Sequence, residues 1–159
     1  MAERRPLRFE NWDQVVADLR TLLESGYTAT GKWNLEQMAK HLNDRVRFPV
    51  VGFPKQPLPI RVIAAVVRNT IGPGMLDKIL NSATMPAGKP TPRSTVYEST
   101  SNDAVAVAEL EKSIEQFRNY QGAIHPSPLF GAMDKSKAER LQLIHMSHHL
   151  SFLVPSSGQ

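Results

Sequence analysis

The 159-residue chain contains no cysteine. That absence excludes disulfides, cysteine-ligated zinc, iron–sulfur clusters and a thiol nucleophile of the chain's own, and it fits a reducing, cytoplasmic setting. Long apolar runs are also missing. The most apolar stretch, 62–67, is bounded by Arg61 and Arg68, whereas a bilayer span needs about 20 apolar residues, so no membrane association is expected. The start of the chain has the paired Arg4 and Arg5 but no apolar run after them, which is not the pattern of a secretory or twin-arginine signal. Concentrated charge is scarce too. Nineteen Lys and Arg against fifteen Asp and Glu leave a net charge of +4 and a pI near 9.6, yet nowhere do five basic residues cluster, and no nucleic-acid partner is expected.

What is present is helical patterning at ordinary globular composition, 41% hydrophobic and 21% charged, on a length that suits one domain spanning 1–159. Trp12, Val15, Val16, Leu19, Leu22 and Leu23 repeat at the three-four spacing of a helix face. Asn11 with Gln14 forms a capping-box pattern in front of them, and Ser25-Gly26 closes the segment. Asn34 with Gln37 repeats the device ahead of Leu35, Met38, Leu42 and Val46, with Pro49 and then Gly52-Phe53-Pro54 as the stop. A third helical piece is expected over 60–71, broken at Gly72-Pro73-Gly74 and continued to Leu80. Asp103 is read as the cap of a helix carrying Val107, Leu110, Ile114 and Phe117, and Ser136 with Glu139 as the capping box of a last helix to about Leu153. No convincing strand pattern occurs. Four long amphipathic segments (11–25, 34–48, 103–120 and 136–153) predict an all-α protein, a four-helix bundle. The 60–80 region is then a helical insertion between the second and third core helices, packed on the bundle's side or end or serving as a dimer surface. The Ser-, Thr- and Pro-rich stretch 82–102 exceeds the usual loop length and is a candidate lid, with 95–98 locally extended.

Four of the five histidines fall on two of these segments. His145 and His149, four apart, emerge on one helix face about 5–6 Å from each other. His41 adjoins the core-facing Leu42 and can turn toward the bundle interior. Three neutral imidazoles with one open position are the donor set of catalytic zinc sites, and imidazole also suits nickel, cobalt and iron. The absence of carboxylates nearby speaks against calcium or magnesium. His148 stands at a chelating i,i+3 spacing from His145, so His148 and His149 compete for the third place. A helical histidine pair is also an ordinary feature of a polar surface. Gln37 is either a cap or a support for His41, with the cap favoured. His125-Pro126 is read as a turn, Trp12 and Trp33 as core residues, and Arg47, Arg61 and Arg68 as solvated cations able to meet an anionic ligand.

The segments Asn11-Trp12-Asp13-Gln14-Val15-Val16, Gly31-Lys32-Trp33-Asn34-Leu35-Glu36-Gln37-Met38-Ala39-Lys40-His41-Leu42, Leu129-Phe130-Gly131 and His145-Met146-Ser147-His148-His149-Leu150 resemble the DinB/YfiT-like superfamily, and more narrowly its DUF1569 branch. The resemblance covers most of the chain in order; the blocks around Trp33–His41 and the last helix are its specific parts. It implies a four-helix bundle, commonly homodimeric, with a divalent metal, zinc or nickel first, held by His41, His145 and His149. Several enzymes of that superfamily use low-molecular-weight thiols such as mycothiol, bacillithiol or glutathione. The resemblance therefore points to a thiol-dependent transferase or a hydrolase. The alternative is a non-catalytic, dimeric metal-binding or stress-response module. With no cysteine in the chain, a sulfur nucleophile would arrive with a cosubstrate.

Overall fold

The computed structural model of the chain describes residues 3–88 and 95–156. Asn11 opens α1 (Trp12–Ser25) by accepting a hydrogen bond from the Gln14 amide. The expected box does not close on Asn11, because Gln14 Oε1 accepts from the Glu10 amide instead. Gly26 ends α1 at φ 69°, a left-handed conformation that glycine adopts without a Cβ clash. Ahead of α2 (Leu35–Val51) the Asn34–Gln37 box is complete.

Pro49 does not stop α2, which runs two residues further and ends at Gly52, the second part of the expected stop. Proline has no N–H to give the carbonyl four residues back, so Arg45 O loses its partner within the helix. Gln142 Nε2 donates to that carbonyl at 2.9 Å. A neighbouring helix thus supplies the hydrogen bond that the proline removes.

The cation-bearing stretch after α2 forms α3 (Leu58–Asn69) and α4 (Gly72–Ser82). The break lies at Thr70-Ile71, one step before the expected Gly72-Pro73-Gly74, since Pro73 is at home in the first turn of a helix. A Cβ on Gly72 would sit 2.3 Å from Leu129 O, so only glycine permits this approach. The last two helices are α5 (Asp103–Asn119) and α6 (Lys135–Leu150).

Two capping expectations are corrected. Asp103 does not cap α5; its carboxylate accepts from the Glu36 amide (2.9 Å) and the Tyr27 hydroxyl (2.9 Å), capping the first turn of α2 from another helix. Asp134, rather than Ser136, caps α6, accepting from the Lys137 amide at 2.7 Å.

The strand-free reading is corrected as well. β1 (Tyr27–Ala29) pairs antiparallel with β2 (Leu153–Pro155), with Thr28 opposite Val154. Pairing draws Leu153 out of the last helix, which ends at Leu150. Strands of three residues carry no alternation long enough to read from sequence. They matter for the site because they bind the start of α2 to the end of α6; Thr30 N donates to Phe152 O at 2.8 Å.

The fold is mostly helical, and α1, α2, α5 and α6 share one core built on Trp12, Leu19, Leu42, Leu110, Phe117 and Met146. Such an arrangement is compatible with a four-helix bundle. α4 adds a smaller cluster against α6, where Leu76, Ile79 and Leu80 meet Leu141 and Ile144. Nothing on α3 is buried; Leu58 is 69% and Ile63 63% exposed. Among the described residues no helix is long and apolar enough to cross a membrane.

Candidate metal centre

His41 lies in the second turn of α2, and His145 and His149 occupy successive turns of α6. The helices bring the three rings together, with one ligand nitrogen from each within 4.8 Å of the others. His145 Nε2 and His149 Nε2 are 3.0 Å apart. Two nitrogens bound tetrahedrally to one zinc ion at 2.0–2.1 Å would be separated by about 3.3 Å, so a small adjustment of χ angles reaches that spacing. The three residues, close together and all imidazole, could hold one metal ion.

Each ring is in the form a metal requires. Burial pushes the pKa of His41 down to about 4, helped by the charge of Arg45. His149 is pushed down to about 2 by burial and then by neighbouring cationic groups, and His145 well below its ordinary value by the same causes. At neutral pH all three are uncharged, with no proton for an incoming cation to displace from an imidazolium. The contact between His41 Nδ1 and the Thr95 carbonyl, 3.1 Å, assigns the donor role to Nδ1–H, because a carbonyl only accepts. That leaves Nε2 as the lone pair of His41, the second-partner arrangement common to metal-binding histidines.

Trp33 completes the wall. Its ring lies parallel to His149, with centroids 5.8 Å apart and an interplanar angle of 8°, and 5.3 Å from that of His41. The core role expected for Trp12 holds, since it is 3% exposed; Trp33 is only half-buried and fixes imidazole planes.

His148 is engaged elsewhere. Arg4 Nη2 donates to its Nδ1 at 3.2 Å, and the Met85 backbone lies near enough to act on the ring. Between His148 and His149, the geometry brings His149 into the cluster with His41 and His145. Gln37 acts as the cap, its Oε1 accepting from Asn34 N while Nε2 donates to Tyr97 O. His125 is exposed at the far end of α2, where its amide donates to Pro49 O.

The segment expected as a lid includes residues 89–94, which lie outside the described residues. One described flank reaches the centre through Thr95 at His41, and the other comes near His148 through Met85. Residues 95–98 form no strand. They run across the start of α2, where Tyr97 hydroxyl meets Asp44 and the Thr100 amide donates to the buried Glu36 carboxylate at 2.7 Å. Lys40 and Thr100 hold that carboxylate well below its usual pKa.

Sequence reading missed Arg45. It named Arg47, Arg61 and Arg68, but Arg47 and Arg61 are exposed, and Arg68 packs its aliphatic stem 3.6 Å from where a Gly131 side chain would begin. Arg45 stands one turn beyond His41 and its charge acts on all three clustered histidines. The i,i+4 spacing from His41 was the available signal.

The chain matches the model of a family described as "Protein of unknown function (DUF1569)" over residues 1–156. No curated protein and no solved structure matches it.

Proposed function

The chain belongs to the DUF1569 family, and from that membership and the histidine geometry we propose a divalent-metal-dependent enzyme of the DinB/YfiT-like type. His41, His145 and His149 are the metal ligands, zinc or nickel is the ion, and the reaction is a thiol-dependent transfer or a hydrolysis in the cytoplasm. The observation that carries the reading is three converging neutral imidazole nitrogens, with His41 oriented from behind by the Thr95 carbonyl. A bound divalent ion is a Lewis acid that lowers the proton affinity of a coordinated thiol or water. The chain's own part is to hold the imidazoles neutral and to fix their planes through Thr95 and Trp33. Lacking cysteine, it leaves any thiol to a cosubstrate.

Calorimetric titration of the zinc-loaded protein with glutathione, mycothiol and bacillithiol tests the thiol form of this reading. Saturable heat with one of them, absent after chelation of the zinc, is the expected result. No heat with any of the three removes the thiol and leaves hydrolysis.

A second reading, a dimeric metal-binding or stress-response module, draws its support from α3. Leu58, Ile60, Val62, Ile63 and Val66 are each about half or more exposed, a larger apolar face than scattered surface residues make. We propose that this face joins two copies of the chain. Sedimentation of Ile63→Asp is expected to show a monomer where the parent chain sediments as a dimer; a monomeric parent overturns the homodimer.

A further inference from the structure

Arg45 stands one turn beyond His41 on the same face of α2, and its positive charge acts on all three clustered histidines. The cluster contains no carboxylate. Neutral imidazoles bring no negative charge to offset a divalent ion, so an ion bound there leaves the site positive even with the Asp44 charge set against that of Arg45. Enzymes and binding sites of such charge take anions.

Arg45 is equipped for that task. It is half-buried, and among the described residues its guanidinium makes no hydrogen bond or ion pair, the Asp44 charge acting on it without direct contact. Its neighbour Asp44 is engaged by the Tyr97 hydroxyl. Nor is the backbone beneath it loose, since Gln142 clamps the Arg45 carbonyl that Pro49 leaves unpaired. Arg4, a second cation among the described residues near the site, is already used by Ser151 and His148. A partly desolvated guanidinium is matched in shape and charge by a carboxylate, which it binds through two parallel hydrogen bonds.

We propose that Arg45 is the anion anchor of this centre, and that its ligand is a small carboxylate bearing a second donor group: the carboxylate pairs with the guanidinium and the donor faces the three histidines. The proposal rests on the metal-centre reading and narrows its substrate class.

The probes are mercaptoacetate and 2-mercaptoethanol, which share a thiol and differ in the carboxylate. Each is titrated into cobalt-loaded protein and followed by visible absorption. The parent chain is expected to favour mercaptoacetate. In Arg45→Gln the ratio of the two affinities should fall about tenfold, the worth of one charge-assisted pair. The cobalt spectrum before thiol and the affinity for mercaptoethanol should stay unchanged, which separates anchoring from a structural role. If Arg45→Gln does not fold by circular dichroism, Arg45→Lys keeps the charge without the fork, and its ratio should fall about threefold. A ratio that moves less than twofold in the folded variant overturns the anchor while leaving the metal centre standing. Failure of the parent chain to take up cobalt overturns both.

Discussion

Replacing His145 or His149 by alanine is expected to abolish metal retention. The parent chain, purified without a histidine tag, should carry close to one equivalent of zinc or nickel by elemental analysis, and either variant should carry almost none after dialysis. A site of three imidazoles has no spare ligand, and losing one leaves two nitrogens that water must supplement. Perturbing even an outer-shell partner of a metal ligand typically costs 10–100-fold in affinity, so removing a ligand should cost at least about 100-fold. His148→Ala is the internal control. Its ring is engaged by Arg4 outside the cluster, and metal content should be nearly unchanged. If His148→Ala empties the site and His149→Ala does not, the ligand assignment moves by one residue. Near-zero metal in the parent chain after supplementation with both ions would leave the three histidines as a structural cluster.

Acid should unfold the metal-free chain early. His41, with a pKa pushed down to about 4, and His149, to about 2, stay neutral in the fold while their unfolded counterparts take up protons from about pH 6.5 downward. His145 is displaced in the same direction. In this window the unfolded state binds more protons, so stability is full above about pH 6.5 and falls as pH drops toward the folded values. For the fully buried His41 the loss approaches roughly 3 kcal/mol near pH 4. His145 and His149 act in the same sense, at a discount for their partial exposure. A domain has only about 5–15 kcal/mol in hand. Urea denaturation in the presence of chelator, at pH 7, 6 and 5, should show a clear decline. The Glu36 carboxylate acts only below about pH 4.5, where its unfolded form begins to protonate, so the decline at higher pH belongs to the histidines. Zinc should flatten the curve, because metal and proton compete for the same lone pairs. Equal stability at pH 7 and pH 5 in chelator would contradict neutral burial of the cluster.

Residues 12–23 show what a sequence can disclose. Their apolar spacing and the Asn11 cap are local facts, and α1 formed where they indicated. The same holds for the Asn34–Gln37 box, and for His145 and His149, whose shared face follows from helix periodicity. Where the sequence misled, a long-range partner intervened. Asp103 stands at the head of α5 but finds the Glu36 amide of α2 within reach. Pro49 breaks an isolated helix, yet Gln142 from α6 meets the exposed carbonyl. β1 and β2 exist only because positions 27–29 and 153–155 meet after the helices have packed.

The absence of cysteine determined that any metal here would be bound without thiolate, and the spacing of the histidines that two of the candidate imidazoles would share a helix face. Those properties depend on composition and on a 3.6-residue period, which the chain carries before it folds. Only the tertiary structure decided that His149 and not His148 joins His41 and His145, that the Thr95 carbonyl turns the His41 lone pair inward, and that Arg45 has no hydrogen-bond or ion-pair partner among the described residues. Each of these depends on which distant groups arrive first at a donor or acceptor. Burial then sets the charge of the rings, because an imidazolium loses its hydration when helices close around it.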